Sequence, residues 1–187
     1  MFLENIKKRI FLTVVACGTI IGLGSFVAWR YFNIEQPVVS VYNKVRDYQD
    51  IIDLFELERF WLTSTPDYSP YYMLEYMTPN KKIQYRGMLH IYVARPEEKF
   101  AGFTAFYMLD KNTGMILFLA TRPEFRGQGY GKLLIKAAIE GLKKLGAKKV
   151  NLVTRTTNIP AQKVYVGVGF DEILRDEDGF VYYEYTK

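Results

Sequence analysis

Residues 126–131 read Arg-Gly-Gln-Gly-Tyr-Gly and lie between an apolar, strand-like run and a stretch with helical periodicity. Nothing else in the chain constrains the fold as much. Glycines at a strand-to-helix turn let backbone N–H groups come close to a ligand, and the helix N-terminus adds partial positive charge. Together they form a cradle for a phosphate or pyrophosphate. A plain Gly-rich turn is the other reading of the same glycines. Downstream, Leu133, Leu134, Ala137, Ala138, Leu142 and Leu145 share one helical face, with Lys132, Lys136, Glu140 and Lys143 opposite and Gly146 as the stop. With strands expected at 115–121 and 149–156, this is a βαβ unit whose two strands run parallel. Two familiar phosphate loops are excluded. A Walker A loop needs Gly five residues before Gly-Lys-Ser/Thr, but Arg126 precedes Gly131 and Leu133 follows Lys132. The Rossmann fingerprint G-x-G-x-x-G fails on spacing, and Arg155 and Thr156 stand where its acidic residue belongs.

The flanking sequence suits a mixed α/β domain over 37–187. A short β-branched strand is expected at 38–42. Asp47 and Asp50 are candidate N-caps for a helix whose apolar face is Ile51, Leu54, Phe55 and Leu62. Residues 63–87 carry Pro66, Pro70 and Pro79 with Tyr68, Tyr71, Tyr72, Tyr76 and Tyr85, which predicts a loop with one short helix at its centre. Strands at 89–94, 100–108 and 115–121, separated by short turns, predict an antiparallel meander. A short helix at 161–168 and a hairpin of 170–174 with 180–185 around 176–179 close the chain.

The 187 residues hold 25 Lys+Arg against 20 Asp+Glu, one His and one Cys. His90 and Cys17 alone cannot make a His- or Cys-rich metal site or a disulfide within the chain, so no metal is expected. The net charge of +5 suggests a polyanion until it is divided. Residues 1–30 hold Lys7, Lys8, Arg9 and Arg30 against Glu4, while 31–187 hold 21 basic and 19 acidic side chains. No nucleic-acid partner is expected of so balanced a domain. Residues 10–29 carry no charge, and a helix of that length spans about 30 Å, the thickness of a bilayer core. Trp29 and Tyr31 sit where an interfacial aromatic belt belongs. The reading is therefore a basic N-terminus (1–9), a transmembrane anchor (10–30), a linker (31–36) and the domain. Three alternatives stay open: a lipoprotein signal with Val14-Val15-Ala16-Cys17 as lipobox, a cleaved signal peptide, and a buried core helix.

The stretch from Leu119 through Thr121 and Arg126 to Leu134 resembles the GNAT superfamily of N-acetyltransferases. Arg126, Gly129 and Gly131 match its R/Q-x-x-G-x-G/A loop. Asn158, Ala161, Tyr165 and Gly169-Phe170 match its N-x-x-A-x-x-x-Y-x-x-x-G-F block. The resemblance implies a mixed, mostly antiparallel central sheet flanked by helices, with a parallel strand pair splayed apart. It also implies acetyl-CoA as co-substrate, its pyrophosphate on the backbone of Arg126, Gly127, Gln128, Gly129, Tyr130 and Gly131. Main-chain groups of Leu119 and Thr121 would hold the pantetheine arm, and Asn158 would touch the cofactor near its reacting end. Transfer is direct, with Tyr165 protonating the departing thiolate.

The general base is not assigned. Glu75, His90 and Asp110 are candidates, as is a water chain, while Glu124 is expected to cap or face solvent. The function expected is acetyl transfer to an amine of a small molecule or peptide, the Tyr-rich segment lying where the acceptor belongs. Two other readings stay open: a non-catalytic acyl-CoA-binding module, and an acyltransferase using longer acyl chains on envelope or lipid precursors. The oligomeric state, monomer or homodimer, is open. The intracellular cofactor favours a single-pass membrane protein with a cytoplasmic domain, whereas Lys7-Lys8-Arg9 argues for the opposite orientation.

Overall fold

The computed structural model describes residues 38–79 and 88–186. The sequence 10–30 expected to anchor the chain lies outside them. Among the described residues no helix is long and apolar enough to cross a membrane.

The first strand, β1 (Val39–Val41), leads into helix α1 (Lys44–Leu62). The N-cap is Asn43 and not the expected Asp47 or Asp50. Its side chain accepts from the Arg46 N–H at 3.1 Å, and Asp47 reaches back to accept from the Asn43 N–H at 2.8 Å. This reciprocal pair satisfies helix-end donors as a capping box does. The buried face is Ile51, Ile52, Leu54 and Phe55, with Leu62 packed at its margin. Ser69 caps the short α2 (Pro70–Tyr76), the helix expected inside the Tyr-rich segment. Residues 80–87 of that segment lie outside the described residues.

An antiparallel meander follows: β2 (His90–Ala94), β3 (Gly102–Met108) and β4 (Thr113–Thr121). Helix α3 (Tyr130–Lys144) crosses to β5 (Lys149–Arg155), which runs parallel to β4. Helix α4 (Ile159–Val168) and the hairpin of β6 (Asp171–Arg175) and β7 (Phe180–Tyr185) complete the domain. The seven strands form one sheet ordered β1-β2-β3-β4-β5-β7-β6, antiparallel except at β4–β5. Strand β6 is exposed along its whole length and carries the Glu172–Arg175 ion pair, charges that suit an edge.

The sheet is covered on both faces. Phe55, Leu54 and Met73 from α1 and α2 pack with Val93, Phe103 and Phe118 on one face. Ile135, Ala138 and Leu142 of α3 pack with Ile116, Val150, Leu152 and Tyr165 on the other. The buried stripe of α3 is Leu134, Ile135, Ala138, Ile139 and Leu142, while Leu133 and Leu145, expected inside, are exposed. A β-carbon at Gly114 would stand 2.7 Å from the Leu142 methyls, so the close approach needs glycine there.

Candidate active site

Strands β4 and β5 pair over Thr113–Ile116 and Lys149–Leu152 only. Beyond Ile116 and Leu152 they part, so Leu117 to Thr121 and Val153 to Arg155 make no hydrogen bonds to each other. The divergence has a local cause. Ala105 of β3 faces Phe118 and Phe106 faces Ile116, which leaves Leu117 as an extra residue on β4. Such a bulge bends its strand and increases the local twist. It also re-aims side chains, since Ile116 packs with the α3 layer and Phe118 with the α1 layer. The freed edge of β4 presents unpaired backbone groups, the kind an extended ligand arm satisfies.

The cradle lies where β4 ends. A turn of 3-10 helix at Pro123–Phe125 leads to Gly127 at φ +75° and Gly129 at φ +90°. Gly129 is the N-cap of α3 and no side chain caps that end. The first N–H groups of the helix therefore face outward with the positive end of its dipole. The loop is held from behind. Phe125 and Tyr130 meet edge to face at 5.8 Å and pack with Ala94, Ala101, Leu119 and Leu134. Gln128 Nε2 donates to the Glu124 carbonyl at 2.9 Å, and Arg126 Nε donates to the Thr121 carbonyl at 3.1 Å. Thr121 Oγ1 stands beside Gly131, the last of the six residues expected to form the cradle.

Sequence reasoning missed how firmly α1 grips this loop. Arg126 Nη2 pairs with Glu58 at 2.6 Å, and Arg122 Nη2 pairs with Asp50 at 3.2 Å. Two turns of α1 thereby hold the segment after β4. The same helix reaches the end of β5, where Arg155 Nε donates to the Phe60 carbonyl at 2.8 Å and its guanidinium stacks on Phe60 at 4.4 Å. Helix α1 bridges the wide end of the gap. Glu58 carried no sequence signal beyond its helical spacing from Asp50 and Leu54.

On the α3 side of the sheet, Asn158 caps α4, accepting from the Ala161 N–H at 3.4 Å. Its amide donates to Thr154 Oγ1 at 3.3 Å, and Thr154 is hydrogen-bonded to the Tyr165 hydroxyl. Tyr165 is 7% exposed, packed against Phe170 and Tyr183. Burial pushes its phenol up to about 12, a rise the Thr154 hydrogen bond only moderates. Tyr165 therefore keeps its proton at neutral pH and is a donor, not a base. Asn158, Thr154 and Tyr165 come together from β5 and both ends of α4. Thr154 is the member that no motif flagged.

The candidate bases do not join them. His90 stacks on Phe106 at 5.5 Å on β2, separated from the gap by β3 and β4, and burial lowers its pKa. Asp110 turns inward on its own loop, accepting from the Asn112 and Thr113 N–H groups at 2.8 Å, at the end of β4 opposite Thr121. Glu75 pairs with Lys44 at 2.7 Å near the start of α1, the end remote from Phe60 and Arg155. Glu124 stays exposed, 4.0 Å from Arg122.

A splayed parallel pair, a glycine cradle and a helix N-terminus at its mouth agree with what comparison with known proteins finds. Residues 49–170 match the family model described as the acetyltransferase (GNAT) family. The chain belongs to that family. It is an acyltransferase of the N-acetyltransferase type. A Bacillus subtilis relative, provisionally named a ribosomal protein alanine N-acetyltransferase, is 28% identical over 123 residues, covering 65% of this chain and 74% of its own. The crystal structure of the Escherichia coli ribosomal-protein alanine N-acetyltransferase superposes with a TM-score of 0.56 at 19% identity, covering 78% of this chain and 90% of that one. A Bacillus subtilis acetyltransferase solved in complex with CoA gives 0.57 at 21% identity over 80% and 97% of the two chains. These two structures share its fold, with the mixed sheet and flanking helices expected from the sequence.

Proposed function

We propose that this GNAT enzyme transfers the acetyl group of acetyl-CoA to a primary amine, with the N-terminal amine of a protein or peptide as acceptor. The observation that carries the cofactor assignment is the combination of the β4–β5 divergence with the uncapped helix N-terminus at Gly129. From Thr121 back to Leu117 an extended strand measures about 13 Å. An arm whose phosphates rest on 126–131 would follow that edge, main-chain groups of Thr121 and Leu119 holding it, and deliver its thioester to the narrow end of the gap. The acceptor class is supported by the relatives, two of which carry the name of ribosomal-protein alanine acetyltransferases.

The amine nitrogen attacks the thioester carbonyl with its lone pair, forming the C–N bond, and the C–S bond breaks. The thiolate takes the proton of Tyr165, the nitrogen gives its extra proton to water, and the Tyr165 phenolate regains a proton from water. Asn158 and Thr154 position the Tyr165 hydroxyl from behind. Replacing Tyr165 by Phe is expected to lower kcat about 100-fold, a typical worth of a positioned general acid. CoA affinity by calorimetry stays within twofold, and full activity would remove the acid role. Thr154→Val acts in the same direction but less, and Thr154→Ser restores the rate.

The reading is tested by following CoA release from acetyl-CoA by the full-length chain, with a short peptide bearing a free N-terminal alanine and a panel of small amines. Release with the peptide is the expected result. Acetyl-CoA binding without release across the panel would favour a binding module, and preference for longer acyl chains would favour an envelope acyltransferase. Residues 10–30 are proposed as a membrane tether, supported by their length and lack of charge. The need for acetyl-CoA supports a cytoplasmic domain. Removing residues 1–30 is expected to release the protein from the membrane fraction.

A further inference from the structure

Among the described residues, three buried side-chain polar atoms have no hydrogen-bond partner: Tyr42 Oη, Arg122 Nε and Asn151 Oδ1. Only Asn151 stands where β4 and β5 part. It pairs in register with Met115, one residue before the last paired position, Ile116 with Leu152. Its neighbours fix the face it occupies. Val150 and Leu152 on either side pack with the α3 layer, whereas Met115 packs with the α1 layer and Arg155 touches Phe60 of α1. Asn151 therefore projects on the α1 side of the sheet, at the narrow end of the gap. Across β5–β7 its neighbour is Glu184, whose carboxylate is engaged by Lys149 at 2.9 Å. Glu184 does not fill the need of the amide oxygen.

A buried acceptor left without a donor is costly, and in native proteins it calls for an explanation. The chemistry of the gap supplies one. Thr154 and Tyr165 lie on the α3 side of β5, so the group proposed to protonate the sulfur is on one face of the sheet. In acyl transfer through a tetrahedral centre, the nucleophile and the leaving group occupy different positions on the same carbon. An amine entering from the α1 side would meet Asn151 first. We propose that Asn151 Oδ1 is the acceptor-side anchor of the site, taking a hydrogen bond from an N–H of the attacking amine and so orienting its lone pair toward the thioester. The ligand class is a primary amine, which keeps an N–H to donate after one proton has left. This inference rests on the acetyl-CoA reading above and adds the residue that selects and aims the acceptor.

The test avoids the unidentified acceptor. Two conjugates are made, with the CoA sulfur joined through a –CH2–CO– bridge to the nitrogen of alanine amide, one keeping the N–H and one N-methylated. Calorimetry on the full-length chain is expected to show the N–H conjugate bound about tenfold more tightly, as one net hydrogen bond in a buried site allows. In Asn151→Leu, and in Asn151→Ala as the second variant, that preference disappears while affinity for CoA itself is unchanged. A wild-type protein that does not distinguish the conjugates overturns the assignment, as does a preference that survives in both variants. Loss of binding to CoA itself in the wild type would overturn the reading beneath it, and the anchor with it.

Discussion

Replacing Gly129 by glutamate is expected to abolish CoA binding while the domain stays folded. The residue sits at φ +90°, a backbone conformation that costs an L-amino acid about 1–2 kcal/mol. Space is not the obstacle, because a β-carbon there meets nothing within 4 Å. Strain alone makes Gly129→Ala a mild variant. Glutamate adds a carboxylate at the N-cap of α3, where it competes for the helix N–H groups and repels a pyrophosphate in the same place. A loss of at least about 100-fold, roughly 2.7 kcal/mol, is expected by calorimetry. The thermal midpoint changes little, because an anion at a helix N-terminus offsets part of the strain. Unchanged CoA affinity in the Glu variant would remove the pyrophosphate from this loop.

The anion site proposed on this loop does not draw on the net positive charge of the chain. Arg126 at the start of the loop and Arg122 before it already face carboxylates of α1, Glu58 and Asp50. The loop's own offer to an anion is backbone, the N–H groups of a helix start that no side chain caps. This explains why glycine spacing, and not charge, is the signal visible in the sequence. It also gives the loop a fixed shape, since each arginine ties it to a helix that is itself buried on the sheet. Preorganised donors bind an anion without first having to be ordered.

What was legible in the sequence is what depends on near neighbours. The glycine turn, the βαβ unit, the meander and the closing hairpin follow from local periodicity and turn chemistry, and the structure has all of them. The contributions of Glu58, Thr154 and Asn151 depend on contacts between elements far apart in the chain, which no spacing encodes. The bulge at Leu117 is of the same kind, because it is defined only against the register of β3. Local misreadings also had physical causes. Asp47 resembles an N-cap because it stands near a helix start, yet it serves as the fourth helical residue, bonding back to Asn43. The α3 stripe is turned toward Ile135 and Ile139 because leucine at 133 and 145 is compatible with either side of a lysine-rich helix.

Asp47 leads to the second large effect, this one on stability. Its side chain is fully buried and accepts from Arg46 Nε at 2.8 Å, Arg46 Nη2 at 3.1 Å, Arg95 Nε at 2.8 Å and the Asn43 N–H at 2.8 Å. Arg95 also pairs with Asp50, which in turn holds Arg122, and Phe100 lies between the two guanidinium groups at 5.3 and 5.4 Å. Removing one partner of a buried pair leaves the other charge without compensation, typically at about 3–5 kcal/mol. Arg46 is partly exposed and recovers solvation, so Asp47→Ala is expected near the lower figure, about 3 kcal/mol. In a domain of this size that lowers the thermal midpoint by about 10 °C. The pH dependence gives a separate signature. Burial alone would raise the Asp47 carboxyl, but hydrogen bonds from Arg46, the Asn43 N–H and Arg95 outweigh it and hold the pKa below the ordinary 3.8. A depressed folded-state pKa means stabilisation fully present above the unfolded value and lost as the pH falls through the folded one. The wild type should therefore lose this increment only below about pH 3.8. The Ala variant, already without it, should show a shallower acid limb, with the two stability curves converging at low pH. A midpoint within 2 °C of wild type at pH 7 would show that Asp47 adds no stability through this cluster, and curves that stay parallel down to pH 2 would show that its folded-state pKa is not depressed.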